Sequence, residues 1–152
     1  MKSLRHPADK EELLRRLSAL QPDTRRRWGR MSPHQMVCHL SDSFLTLFGE
    51  KDVSSATGRL QRTVVKWVAL QLPMAWPPGI PTRPEVDQEF GGTRPVEFGR
   101  DVEALLDIVE RFTRQSPEFG WRPHPIFGAL TDQERMRWGY LHMDHHLRQF
   151  GL

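Results

Sequence analysis

The chain has 152 residues, of which 38% are hydrophobic and 27% charged, with a formal net charge of +3 and one cysteine. That length suits one ordinary domain, the lone Cys38 excludes an internal disulfide, and so small a charge makes no case for nucleic acid. The low apolar fraction fits amphipathic helices better than a buried parallel sheet.

Residues 1–7 carry neither an apolar stretch nor a small-residue cleavage site, so no signal peptide is expected. The most apolar stretch, residues 64–76, is interrupted by Lys66, Gln71 and Pro73. It falls short of the roughly 20 apolar residues a membrane-spanning helix needs. The expectation is a cytoplasmic, all-α domain over residues 1–152, with no nucleic-acid and no membrane partner.

A first helix is predicted over residues 7–20. Leu13, Leu14, Leu17 and Leu20 recur at helical spacing, Pro7 suits the first helical position, and Pro22 ends the run. Arg25, Arg26, Arg27 and Arg30 follow as the one basic cluster. It reads as a solvated surface between helices, with an anion contact as the alternative.

The second helix has the clearest start. Ser32-Pro33-His34-Gln35 places a capping hydroxyl three residues before a glutamine that can reach back to it. Met36, Leu40, Phe44 and Leu47 then form one stripe, and Gly49 is the stop.

Residues 51–92 are irregular. A short helix is predicted over 60–72, with Val64, Val65, Trp67, Val68 and Leu72 as its apolar content. Pro73, Pro77, Pro78, Pro81 and Pro84 forbid its continuation. Residues 73–92 read as an extended loop over the helices, either walling a pocket or acting as a packing strap.

A third main helix is predicted over 95–115, with Val102, Leu105, Leu106, Val109 and Phe112 on its apolar face. After a loop containing His124-Pro125-Ile126-Phe127-Gly128, Thr131 to Glu134 forms a second capping box. The last helix, to about residue 150, turns Met136, Tyr140, Met143, Leu147 and Phe150 to the core. Four such helices predict a four-helix bundle with an irregular Pro/Trp-rich insertion between its second and third members.

Beyond His34 in the first turn of the second helix, the two capped helices carry four of the seven histidines, at 39, 142, 145 and 146. His142 and His146 are one turn apart and border the apolar arc, and Gly139 one turn earlier leaves room for a neighbouring group. Two imidazoles at this spacing can reach one ion, because metal–nitrogen bonds are about 2.0–2.1 Å long. His145 points about 100° away and is read as surface or as support; a His142/His145 pair is the alternative. Two ligands hold a metal poorly, so a third must come from another helix. His39, at the edge of the second helix's apolar arc, is the best candidate, although a lone histidine there is more often a packing residue.

The run Met31-Ser32-Pro33-His34-Gln35-Met36-Val37-Cys38-His39-Leu40-Ser41-Asp42 resembles the second-helix signature of the DinB/YfiT-like superfamily. Residues 142–149, H-M-D-H-H-L-R-Q, resemble its last-helix signature. The segments 124–128 and 147–151 are similar to an uncharacterised bacterial subgroup of DinB-like proteins. Residues 51–92 depart from the shorter superfamily pattern, which leaves the pocket open.

The resemblance implies a histidine triad, His39, His142 and His146, holding one divalent ion, zinc or nickel by ligand type. No fourth ligand is evident, since Cys38 points about 100° from His39 and reads as a small buried hydrophobe. An open position suits a thiol-dependent transferase acting on a small electrophile, with a small-molecule substrate or low-molecular-weight thiol as partner. A metal-dependent hydrolase and a non-enzymatic metal-binding or stress-response module are the alternatives. Asp42 and Asp144, and less so Glu50, are expected to fix an imidazole tautomer. A homodimer is the expected assembly, with Trp67 and Trp76 as its candidate contact.

Overall fold

The computed structural model describes all 152 residues and is all-helical. Its α-helices are α1 (Pro7–Ser18), α2 (Pro33–Phe48), α3 (Lys66–Gln71), α4 (Phe98–Arg114) and α5 (Asp132–Gln149). A π-helical turn, Gln61–Val65, leads into α3, and a 3₁₀ turn, Pro84–Val86, sits in the insertion. The one β-type pairing is an isolated bridge between His124 and Gly128. No helix is long and apolar enough to cross a membrane.

Both capping boxes form. Ser32 accepts from the Gln35 N–H while the Gln35 side chain accepts from the Ser32 N–H. Thr131 and Glu134 do the same for α5. Each box satisfies donors that a helix start leaves orphaned, so each fixes where its helix begins and hence which side chains face inward. At the far end of α2, Gly49 adopts φ 79°, a left-handed cap that favours glycine.

The helix α2 packs on α4 along one flank and on α5 along the other, and α1 and α3 both lie on α5. At the centre the Phe44 ring lies 4.8 Å from Phe112 and 5.5 Å from Trp138. Most of the expected stripe residues are buried: Leu13, Leu17 and Leu20; Met36, Leu40, Phe44 and Leu47; Leu105, Val109 and Phe112; Met136, Tyr140, Met143, Leu147 and Phe150. Leu14, Val102 and Leu106 are half-buried at the edge of the core. The space beside Gly139 is filled by Leu4, whose Cδ1 would lie 2.6 Å from an added Cβ. The segment before α1 is therefore pinned to α5, and the Leu4 N–H donates to the Met136 carbonyl.

The insertion corrects one expectation. Leu70 is the fully buried residue of the short helix, whereas Val64 and Trp67 are 56% and 58% exposed. The π-helical turn explains this: its wider hydrogen-bond ring rotates the following face relative to a uniform 3.6-residue period. Lys66 then reaches Glu134 at the start of α5, 3.0 Å away, and Leu70 turns into the core.

Phe44→Ala should cost about 3–5 kcal/mol, as expected for a large aromatic lost from a packed core. Trp67→Ala should stay within about 0.5 kcal/mol, because its ring faces outward. Urea melts of both variants compare the two sites directly. A Trp67→Ala loss as large as that of Phe44→Ala would mean that this face is covered in solution.

Candidate metal centre

The register set by the two capping boxes brings His39 of α2 against His142 and His146 of α5. The three ring centroids form a near-equilateral triangle: 5.2 Å between His39 and His142, 4.7 Å between His39 and His146, and 4.9 Å between His142 and His146. Ligand atoms of all three lie within 4.8 Å of one another, and His39 Nε2 is 3.2 Å from His142 Nε2. The triad named from sequence is thus brought together, and the His142/His145 alternative is not.

Two of the three rings are oriented by protein acceptors. His39 Nδ1–H donates to the Val86 carbonyl at 2.7 Å, which leaves the Nε2 lone pair facing its partners. His146 Nδ1–H donates to Gln149 Oε1 at 3.0 Å. The Gln149 amide is itself oriented, because its Nε2 donates to the Trp28 carbonyl at 3.1 Å. His142 Nδ1 is sealed from solvent and has no partner.

Burial lowers the pKa of all three histidines, against a smaller upward pull on His39 from Val86 and the nearby carboxylates. His142 and His146 are held well below the usual histidine value by burial first and by their histidine neighbours second. All three are therefore neutral near pH 7. A neutral ring carries one proton for two nitrogens. If His142 keeps its proton on Nε2, it can share it with His39 and leave Nδ1 an unpaired acceptor. If the proton moves to Nδ1, three bare lone pairs face one another. Either way the cluster is short of positive charge, and its three nitrogen donors suit a divalent ion.

The supporting groups differ from expectation. Asp42 does not touch an imidazole: it accepts from Thr93 N at 2.8 Å, Thr93 Oγ1 at 2.6 Å and Gln88 Nε2 at 3.2 Å, with Lys51 3.3 Å away. Its task is to tie α2 to the end of the insertion. Asp144 pairs with Arg16 and Arg148, both at 2.8 Å, and Glu50 with Arg111 at 3.1 Å. The orienting acceptors are Val86, in the insertion, and Gln149, one turn past the last histidine. His145 is not at the surface either. It is 6% exposed, because Trp76 and Trp28 cover that side of α5, with ring centroids 6.2 Å and 6.0 Å from its own.

A cavity of about 460 Å³ opens beside the triad. Val64, Val65, Val68, Met74 and Ile80 of the insertion line its outer side, and Trp138 and Phe127 line its inner side. The loop is thus a pocket wall. It is pinned by Trp76, whose Nε1 donates to the Ala69 carbonyl at 2.9 Å and whose carbonyl accepts from Arg148 at 3.1 Å. Trp76 turns inward, so of the two tryptophans named for a dimer contact only Trp67 is exposed. Within the basic cluster, Arg30 pairs with Asp87 and Glu89, and Arg26 donates to the Gly29 carbonyl.

A family model described as "Protein of unknown function (DUF1569)" matches residues 1–151. No curated protein and no solved structure matches the chain.

On the other flank of α2, His34, Cys38 and Asp101 form a second cluster. His34 Nε2 lies 2.6 Å from Asp101 Oδ2, and Cys38 Sγ lies 3.8 Å from the same oxygen. Burial, with the charges of Asp101 and Asp42, pushes the Cys38 thiol up to about 12. Cys38 is thus a buried thiol facing α4, away from the triad. In native protein at pH 8 it should resist a disulfide reagent such as Ellman's, and it should react fully once the chain is unfolded in urea. Rapid reaction in the native state would show that the seam between α2 and α4 opens.

Proposed function

We propose that this chain, a member of the family described as "Protein of unknown function (DUF1569)", is a divalent-metal protein that acts on a small electrophilic molecule with an external thiol. In the same reading α1, α2, α4 and α5 make a four-helix bundle of the DinB/YfiT-like kind. The observation that carries it is the set of three imidazoles with ligand atoms within 4.8 Å, two of them pre-oriented, beside an open cavity. His39, His142 and His146 would hold the ion, zinc or nickel. Bound there, it would supply Lewis acidity and lower the pKa of a thiol or water that joins it.

The chain's own residues divide the remaining work. Val86 and Gln149 orient ligand rings, which in other metal sites tunes affinity. Val64, Val68, Met74 and Ile80 keep the far side of the cavity apolar and limit water. No aspartate or glutamate lines the cavity, so no carboxylate is at hand to activate water. That favours an external thiol over hydrolysis. It also favours a second reading, a metal-binding module without turnover.

Protein purified without a histidine tag should carry about one divalent ion per chain, as a three-histidine site would. His39→Ala and His146→Ala should each abolish it in elemental analysis. Full retention by His39→Ala would remove the triad between α2 and α5. Gln149→Leu, which touches no metal, should weaken affinity by about 10–100-fold. Competition with a chromophoric chelator reads that loss. Thiol consumption with a panel of thiols and electrophiles then separates enzyme from module: no consumption by fully loaded protein selects the module.

A further inference from the structure

His124 stands across the Trp138 ring from the triad. Its centroid is 5.2 Å from that of Trp138, which is in turn 5.1 Å from His142. The turn that carries it is closed on itself: His124 N donates to the Gly128 carbonyl at 2.8 Å, and Gly128 N donates back at 2.9 Å. Gly128 takes φ 70°, which suits glycine. Inside this turn His124 Nδ1 accepts from the backbone N–H groups of both Ile126 and Phe127, each at 3.1 Å. The ring stacks on Phe127, 4.7 Å away and 17° from parallel.

Two donors aimed at Nδ1 leave no room for a proton there, so the one proton of the neutral ring is on Nε2. A second proton would have to displace both backbone bonds, and burial also presses the ring toward neutrality, down to about 3. The residue is only 9% exposed and lines the cavity, and Nε2 has no partner within the chain. Unlike His142 Nδ1, this atom is not sealed from solvent, so its N–H opens onto the cavity and is available to whatever occupies it.

We propose that His124 Nε2–H is the hydrogen-bond donor to a carbonyl-type oxygen on an apolar molecule occupying this cavity. The proposal rests on reading the cavity as the ligand side of the metal centre. A volume of about 460 Å³ falls within the range of small-molecule pockets. The donor is uncharged, and Arg83, the one formally charged residue on the wall, is tied to Ser54 and Glu85. At this end of the cavity, across the Trp138 ring from the triad, an apolar wall with a neutral donor suits a neutral acceptor, because a charged group here would lose hydration with no protein charge beside it. In the proposed reaction an electrophilic carbonyl compound fits this description. The fixed donor would meet negative charge developing on its oxygen without first having to turn.

The test uses acetophenone and ethylbenzene, which differ by a carbonyl in place of a methylene, and the variant His124→Asn. An asparagine oxygen can still accept from the two turn amides, as in an Asx turn, but it brings no donor to the position of Nε2. Binding is followed by NMR titration on zinc-loaded and on metal-free protein. Acetophenone should bind about three- to tenfold more weakly to His124→Asn, the worth of one neutral hydrogen bond, while ethylbenzene binding stays unchanged. In the wild-type protein, the His124 Nε2–H resonance should shift with acetophenone and not with ethylbenzene, which keeps the test decisive if the variant misfolds. Equal weakening of both probes, an unmoved resonance, or no binding of either probe overturns the proposal. Failure of the wild-type protein to take up zinc would instead sink the metal reading, and the probe pair on metal-free protein would still judge His124.

Discussion

Three neutral imidazoles buried with their donor atoms turned toward one another are the constraint on which the rest of the molecule depends. Such a cluster gains little on its own, because its neutral rings share at most the contact between His39 and His142 and leave His142 Nδ1 without a partner. It persists because two helices of fixed register hold it. Each of those helices begins at a capping box, and each buries an apolar stripe beside its histidines. The aromatic centre of Phe44, Phe112 and Trp138 stiffens the pair just below the triad. The proposed site and the core thus share the same two helices, and a slip of one residue at either helix start would carry the histidines off the seam.

The parts readable from sequence were those with a local cause. Both capping boxes, the leucine and methionine stripes, the left-handed stop at Gly49 and the one-turn spacing of His142 and His146 each follow from a few neighbouring residues. His39 was legible chiefly through the superfamily resemblance, since a histidine on the edge of an apolar arc is ordinarily a packing residue. What escaped was set by contacts far apart in the chain. The partner of His39 is a backbone carbonyl 47 positions away, and no residue type announces a carbonyl. Gln149 was visible in the last-helix motif, but its role needs Trp28 beside it. Asp42 and Asp144 lie near the histidines in sequence, yet their side chains serve other elements. His145 was judged by its angle on an isolated helix, which cannot foresee that the insertion covers that face.

The insertion makes its contribution through backbone as much as through side chains. Its 3₁₀ turn presents the Val86 carbonyl to His39, its end is tied to α2 through Asp42, and its π-helical start turns a row of valines toward the cavity. A π-helical turn is commonly a site of function, because it re-aims side chains without breaking the helix. Here it separates two tasks within a dozen residues. Leu70 anchors the segment to the core, while Val64, Val65 and Val68 stay free to meet whatever enters.

Burial therefore has opposite meanings for the buried histidines of this site. For His39 and His146, a protein acceptor on Nδ1 keeps Nε2 unprotonated, an arrangement suited to giving an electron pair to a cation. For His124, protein donors on Nδ1 force the proton onto Nε2, an arrangement suited to giving a hydrogen bond to an oxygen. The same side chain becomes a lone-pair donor or a proton donor according to what its other nitrogen meets. Both kinds line one apolar cavity, on either side of Trp138. That pairing, a cluster lacking positive charge facing a neutral donor lacking an acceptor, is what a polar-headed, apolar-bodied molecule and a divalent ion would together satisfy.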